Sequence, residues 1–280
     1  MQPNIGFIGA GNMATALISG MVDRGYPADR IAAFDPVEDQ LQRLLGNLNQ
    51  GLMSAQVRTS TDNAEARFFD ILVLAVKPQI LPEAARSLAP HLADGCGVVS
   101  IAAGVTLAQL EQLLGPRPLV RCMPNTPSLV GLGASGLYAN AQVSAELQNQ
   151  CEAIFRSVGV VNWVESESDL DLVTAVSGSG PAYFFLFMES MIETAIEMGM
   201  DPETARALTV QTCRGAGELA SHESDIAELR RRVCSPGGTT EQAIASFQQD
   251  GLQNLVQRAM NRCAQRAREM AEETARQLEK

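Results

Sequence analysis

The sequence predicts an α/β domain built on a doubly wound, mostly parallel sheet, followed by an all-helical domain. Three observations carry that prediction. Up to about residue 165 short apolar runs alternate with helical spacing, strand-like runs stop beyond that point, and a Gly-x-Gly-x-x-Ala turn follows the first run. At 280 residues the chain exceeds the usual size of one core, which favours two domains, 1–165 and 166–280.

The apolar runs lie at 4–8, 31–34, 71–76, 97–101, 119–122 and 158–164. The third, Ile71-Leu72-Val73-Leu74-Ala75-Val76, has no polar position, as a central strand covered by helices on both faces requires. Between the first two runs Met13, Leu17 and Met21 recur at helical spacing, and Gly25 stands where a left-handed cap ends a helix. Beyond Ser166 helices are predicted over 182–200, 202–221, 224–232, 240–249 and 252–278. The first is apolar nearly all round near its start, through Phe184, Phe185, Leu186, Phe187 and Met188, so it must be covered on every side. A helical domain this small covers it by packing against a second copy, as a homodimer, or by placing it at its own centre.

A net charge of −11 argues against broad binding to nucleic acid or an anionic membrane surface. The six cysteines stand singly without a CxxC pair, which suggests neither a metal site nor a disulfide framework and fits a reducing compartment. No basic leader precedes the first strand, and no run reaches the roughly 18 uninterrupted apolar residues of a membrane span, so a cytoplasmic location is expected.

The first strand ends in Gly9-Ala10-Gly11-Asn12-Met13-Ala14, between a strand and a helix, where this pattern reads as a dinucleotide fingerprint. Gly9 permits the turn, Gly11 lets backbone approach a pyrophosphate, Ala14 lets helix and strand pack closely, and the helix N-terminus offers free N–H groups to phosphate. Asp35 closes the second strand, where an acid accepts from ribose hydroxyls and repels a 2′-phosphate, favouring NADH; a turn-forming Asp-Pro is the alternative. Lys77-Pro78 and Ala102-Ala103-Gly104 follow two further strands, on the edge where open sheets bind ligands. Small residues there let a nicotinamide lie against backbone, whereas Lys77 supplies charge near the cofactor or is a solvated loop lysine.

Two glycine-rich stretches open helices in the second half: Ser177-Gly178-Ser179-Gly180-Pro181 and Ser235-Pro236-Gly237-Gly238-Thr239-Thr240. In the latter, Thr239 with Gln242 spells a capping box, and the glycines free the backbone to curl into a nest of N–H groups suited to a carboxylate. A plain helix start after a loop is the alternative.

Taken together with Gly6–Ala14, Ala75–Pro78 and Arg121-Cys122-Met123-Pro124-Asn125-Thr126-Pro127, these motifs resemble in order and spacing the pyrroline-5-carboxylate reductases, over essentially the whole chain. The resemblance implies a Rossmann domain followed by a helical dimerisation domain, dimers assembled into larger rings, and reduction of 1-pyrroline-5-carboxylate to proline, with NADPH the usual donor. It also implies that Ile8, Gly9, Ala10, Gly11, Asn12, Met13, Asn63, Ala75, Val76, Lys77, Pro78, Ala102, Ala103 and Gly104 line the cofactor. Ser235, Gly238, Thr239 and Thr240 would hold the substrate carboxylate and ring nitrogen, with Glu167 as a substrate-proximal acid. Two positions depart from the family: Asp35 replaces a side chain that is often neutral, leaving NADPH against NADH open, and Arg232 stands where Asn is expected.

Hydride attack on C=N is helped when nitrogen is protonated, so no strong side-chain acid is required. His91 and His222 lie outside the motifs and are expected at the surface. Thr240, with Ser235, is the candidate catalytic pair: Thr240 hydrogen-bonds the ring nitrogen, and positioning is the main catalytic contribution. A β-hydroxyacid dehydrogenase would need a proton-transferring lysine in the helical half, where the only lysine is Lys280. A non-catalytic NAD(P) sensor would not need the Ser235–Thr240 loop.

Overall fold

The structure, a computed structural model, describes residues 2–48 and 57–278. Its chain forms two compact units: one runs to Ser179 and resumes at Cys263, the other is Gly180–Arg262.

Among the described residues the first unit carries an eight-stranded sheet. The strands are β1 (Ile5–Ile8), β2 (Ile31–Phe34), β3 (Arg58–Ser60), β4 (Ile71–Leu74), β5 (Gly97–Ser100), β6 (Leu119–Met123), β7 (Gly133–Ala139) and β8 (Gly159–Trp163). They lie in the order β3-β2-β1-β4-β5-β6-β7-β8, with every pair parallel except β6 with β7. The order reverses between β1 and β4, which creates the crevice at the carboxyl ends where such sheets bind ligands.

Both faces are covered, which is why β1, β2 and β4 are buried at every position. Leu17, Ile18 and Met21 of α1 (Asn12–Asp23), Leu41 and Leu44 of α2 (Glu38–Leu48), and Ile154 and Phe155 of α5 (Ala145–Arg156) fill one side. Leu81, Ala85 and Leu88 of α3 (Leu81–Leu88), with Leu110 and Leu113 of α4 (Leu107–Leu114), fill the other. The doubly wound sheet and its central strand are as the apolar runs predict. Gly25, at φ +85°, follows α1 in the left-handed conformation expected of it.

Two strands escaped the sequence reading. β3, Arg-Thr-Ser, is a short polar edge, and β7, Gly-Ala-Ser-Gly-Leu-Tyr-Ala, is too rich in glycine to stand out by propensity. β7 has small residues because neighbours press on it: a Cβ at Gly136 would lie 2.6 Å from Val173, and one at Gly133 would overlap Ser128.

After β8 only helices follow among the described residues: α6 (Asp169–Val173), a π-turn over Thr174–Gly178, α7 (Gly180–Glu197), α8 (Pro202–Ser221), α9 (Ile226–Arg232), α10 (Thr239–Gln249) and α11 (Leu252–Leu278). The sequence break at 165/166 marks where strands end, whereas the compact units divide at Ser179 and return at Cys263. The reason is packing: Leu170 and Ala175 are buried, and Leu278 joins the core beneath α3 and α4. In the second unit Phe184, Phe185 and Leu186 of α7 are each more than 60% exposed in the single chain. By length and composition Asp169–Glu197 is apolar enough to cross a membrane.

Candidate active site

At the end of β1, Gly9 takes φ +99°, and a Cβ there would come within 2.9 Å of the Ala75 carbonyl. Only glycine fits where β1 and β4 converge. Gly11 is the N-cap of α1, has no side-chain cap, and nothing lies within 4 Å of where its Cβ would be. With no acid in the first turn of α1, its free amides and positive potential are open to an anion. Ala14 is fully buried against the core, so the helix sits close to the sheet as the fingerprint demands.

Asp35 has a double attachment. Its Oδ2 accepts from the Ala10 amide at 2.9 Å and its Oδ1 from the Val37 amide at 2.9 Å, so the carboxylate fixes both the glycine-rich turn and the Asp-Pro turn after β2. Each oxygen keeps a lone pair for a further donor. Asn63, after β3, has a buried Oδ1 without a hydrogen-bond partner among the described residues. Lys77 is exposed at the turn after β4.

The turn Ala102–Gly104 follows β5 and is pinned from several directions. Ala102 donates to Ser100 Oγ at 3.3 Å. Gly104, at φ +71°, lies so close to α11 that a Cβ would be 2.9 Å from Met270 Cβ. Beyond it a full capping box joins Thr106 and Gln109 at the start of α4, and Gln109 also donates to the Ala271 carbonyl at 2.9 Å. Glu167 closes the arrangement: its Oε1 accepts from the Leu107 amide at 2.7 Å and from Arg121 Nη1 at 2.8 Å. Arg121 stands on β6 opposite Ser100 and is 9% exposed. The sequence motif includes Arg121 but assigns it no role, although a lone arginine in an otherwise apolar strand signals a buried partner.

Asn125, in the same motif and likewise without an assigned role, joins two motifs. Its Nδ2 donates to the Ser177 carbonyl at 3.0 Å and its Oδ1 accepts from the Ala134 amide at 2.8 Å. Gly178, in the π-turn, lies where a Cβ would press on Met123. The Met-Pro-Asn and Ser-Gly-Ser-Gly segments are therefore two halves of one contact.

In the second unit Ser235–Thr240 leads into α10. The capping box expected of Thr239 and Gln242 does not form: Gly238 is the N-cap, without a side-chain cap, and Thr239 and Thr240 are the first helical residues. A glycine serves because the turn is tight, with the Gly238 amide donating to the Ser235 carbonyl at 2.9 Å and Gly237 at φ +67°. The carboxylate of Glu241 folds back to accept from the Gly237 amide at 2.7 Å, so an amide of this loop already holds a carboxylate. Thr240 is half-buried and Ser235 exposed. Arg231 and Arg232 are in ion pairs with Asp225, Glu228 and Glu223. His91 and His222 are exposed, as expected.

Comparison with known proteins gives the assignment. The pyrroline-5-carboxylate reductase of Pseudomonas aeruginosa is 49% identical over 97% of this chain and 98% of its own. The chain belongs to the pyrroline-5-carboxylate reductase family. That of Vibrio alginolyticus is 42% identical over 95% of this chain and 97% of its own. The solved reductase of Coxiella burnetii superimposes with a TM-score of 0.90 at 40% identity, covering 97% of this chain and 99% of the other. That of Plasmodium falciparum, solved with NADP bound, has a TM-score of 0.82 at 29% identity, covering 97% and 99%. Residues 167–270 match the pyrroline-5-carboxylate reductase dimerisation family, and 4–104 match the coenzyme F420-dependent NADP oxidoreductase family. The apolar helical run Asp169–Glu197 falls within the dimerisation match, which supports a homodimer rather than a bilayer as the cover for its exposed face.

Proposed function

We propose that the protein reduces the C=N bond of 1-pyrroline-5-carboxylate to L-proline with hydride from NADPH, working as a homodimer. The observation that carries this reading is full-length membership of the family combined with an open dinucleotide cradle: Gly9 and Gly11 at a helix N-terminus with neither acid nor cap. The residues fit the coenzyme. Amides of Asn12 and Met13 would face its pyrophosphate, Asp35 would accept from the adenosine 3′-hydroxyl that NADPH leaves free, and Ile8, Ala10, Asn63, Ala75, Val76, Lys77, Pro78 and Ala102–Gly104 would line the rest. When bound, the coenzyme supplies the hydride.

The chain's own residues position the imine. The Ser235–Thr240 loop receives the substrate carboxylate on its amides, with Ser235, Gly238 and Thr239 framing it, and the Thr240 hydroxyl hydrogen-bonds the ring nitrogen. The imine carbon gains the hydride while nitrogen, already protonated, takes the electron pair of the former π bond; solvent supplied that proton. Hydride neutralises the iminium and no amide anion forms on nitrogen, so positioning suffices. We assign coenzyme binding to 1–165 and substrate binding and dimerisation to 166–280, in the cytoplasm, with dimers assembled into a higher oligomer.

Following NADPH absorbance on adding the imine tests the activity. Thr240→Ala should lower kcat and raise the imine KM while leaving NADPH affinity unchanged. Equal loss of NADPH binding removes Thr240 from the substrate site, and no oxidation by the wild type removes the function.

A further inference from the structure

Hydride transfer needs the nicotinamide held still, so the turn assigned to it, Ala102–Gly104, must be fixed in place. A cavity of about 230 Å³ lies beside it, lined among others by Arg121, Asp171, Thr174 and Met270. Directional contacts set the position of the turn.

We infer that Arg121 is a positioning residue for hydride transfer, acting through Glu167 on the turn Ala102–Gly104. This rests on the reading that the turn lines the nicotinamide. Leu107 is the first residue of α4, so its amide has no partner within the helix. Glu167 Oε1 satisfies it at 2.7 Å and places negative charge at a helix N-terminus, where it is favoured. The same oxygen is fixed by Arg121 at 2.8 Å, with the arginine side chain 11% exposed and the glutamate 29%. Arg121 projects from β6, beside the strand that carries the turn, and β6 is anchored in the sheet on both sides. The chain of contacts thus runs from rigid sheet through a charge-assisted bond to the residue three positions beyond Gly104. Gln109 to Ala271 and Gly104 against Met270 hold the outer side. Without Arg121, Glu167 has one backbone donor left and follows the turn instead of holding it.

The experiment compares wild type, Arg121→Lys, Arg121→Gln, Glu167→Gln and the Arg121→Gln/Glu167→Gln double variant, using NADPH and its 4-deuterated form. A misplacement of about 1 Å at a reacting centre costs on the order of 100-fold in rate, so kcat of Arg121→Gln should fall by about 10- to 100-fold. The imine KM and the NADPH Kd, read by coenzyme fluorescence, should stay within a factor of about 3, well inside a tenfold change in affinity. The deuterium effect on kcat should rise, because hydride transfer becomes the slow step; a mere loss of folded enzyme leaves it unchanged. Arg121→Lys, which keeps the charge, should recover part of the loss, and the double variant should be no slower than the worse single one.

Glu167→Gln keeps size and an acceptor for Leu107, so it and Arg121→Lys decide the matter if Arg121→Gln fails to fold. The inference is overturned by additive losses, by an unchanged isotope effect, or by loss of NADPH binding in step with kcat. Thr240→Ala, assayed alongside, separates the two ideas: if it leaves imine reduction intact, the substrate-loop reading fails while the isotope effects for Arg121 still stand or fall alone.

Discussion

Replacing Asn125 by alanine should weaken the first unit severely, because one side chain satisfies two backbone groups from different elements. Asn125 is 8% exposed, donates to the Ser177 carbonyl at 3.0 Å and accepts from the Ala134 amide at 2.8 Å. Alanine removes the partner of two half-buried backbone groups, at no more than about 1–3 kcal/mol each, so the loss is at most about 2–6 kcal/mol. For a unit of this size that lowers Tm by roughly 5–20 °C. Asn125→Asp retains the acceptor for Ala134 but sets a carboxylate against the Ser177 carbonyl, so it should also destabilise. The assay is thermal unfolding followed by the fluorescence of Trp163, the protein's single tryptophan, which lies on β8 and donates to Glu152 at 2.8 Å. If Asn125→Ala melts within about 2 °C of wild type, corresponding to no more than about 1 kcal/mol, the bridge between the two motifs does not carry the stability argued for it.

Three further outcomes are expected. Asp35→Ser should raise the NADPH-to-NADH ratio of kcat/KM by relieving repulsion of the 2′-phosphate, and should loosen the turn that Asp35 holds at Ala10; an unchanged ratio would show that the carboxylate acts only on the turn. Glu241→Gln should lower the imine KM several-fold at unchanged NADPH KM, because the Glu241 carboxylate occupies the Gly237 amide and repels an anionic substrate; a higher imine KM would mean that Glu241 merely shapes the loop. Burial pushes the Cys96 thiol up to about 11 and Cys151 to about 12, from ordinary values near 9. The unfolded chain therefore loses these protons first: their contribution to stability is full below about pH 9 and declines from there to about pH 11 and 12. Thiol reagents at neutral pH should modify the buried Cys96, Cys122 and Cys151 no faster than the chain unfolds, and rapid modification of native protein would contradict that.

What could be read from sequence alone was whatever depends on local pattern. An all-apolar Ile71–Leu74 strand, the glycine turn between β1 and α1, and helical spacing after residue 166 each follow from neighbours in the chain, and α8 and α11 occupy Pro202–Ser221 and Leu252–Leu278 as the periodicity predicts. The motif at Ser235–Thr240 was equally legible, but not its cap: whether Thr239 or Gly238 ends the loop depends on backbone curvature set by Gly237 and on Glu241 turning back.

Only the tertiary structure decided how distant residues pair. β7 becomes a strand by pairing with β6 and β8, while its glycines, which have no strand propensity of their own, make room for Val173 and Ser128. Arg121, Glu167 and Leu107 meet across separations of 46 and 60 residues, and Asn125 reaches Ser177 across 52. No local rule encodes such contacts, since a buried charge or amide demands a partner without saying where along the chain it lies.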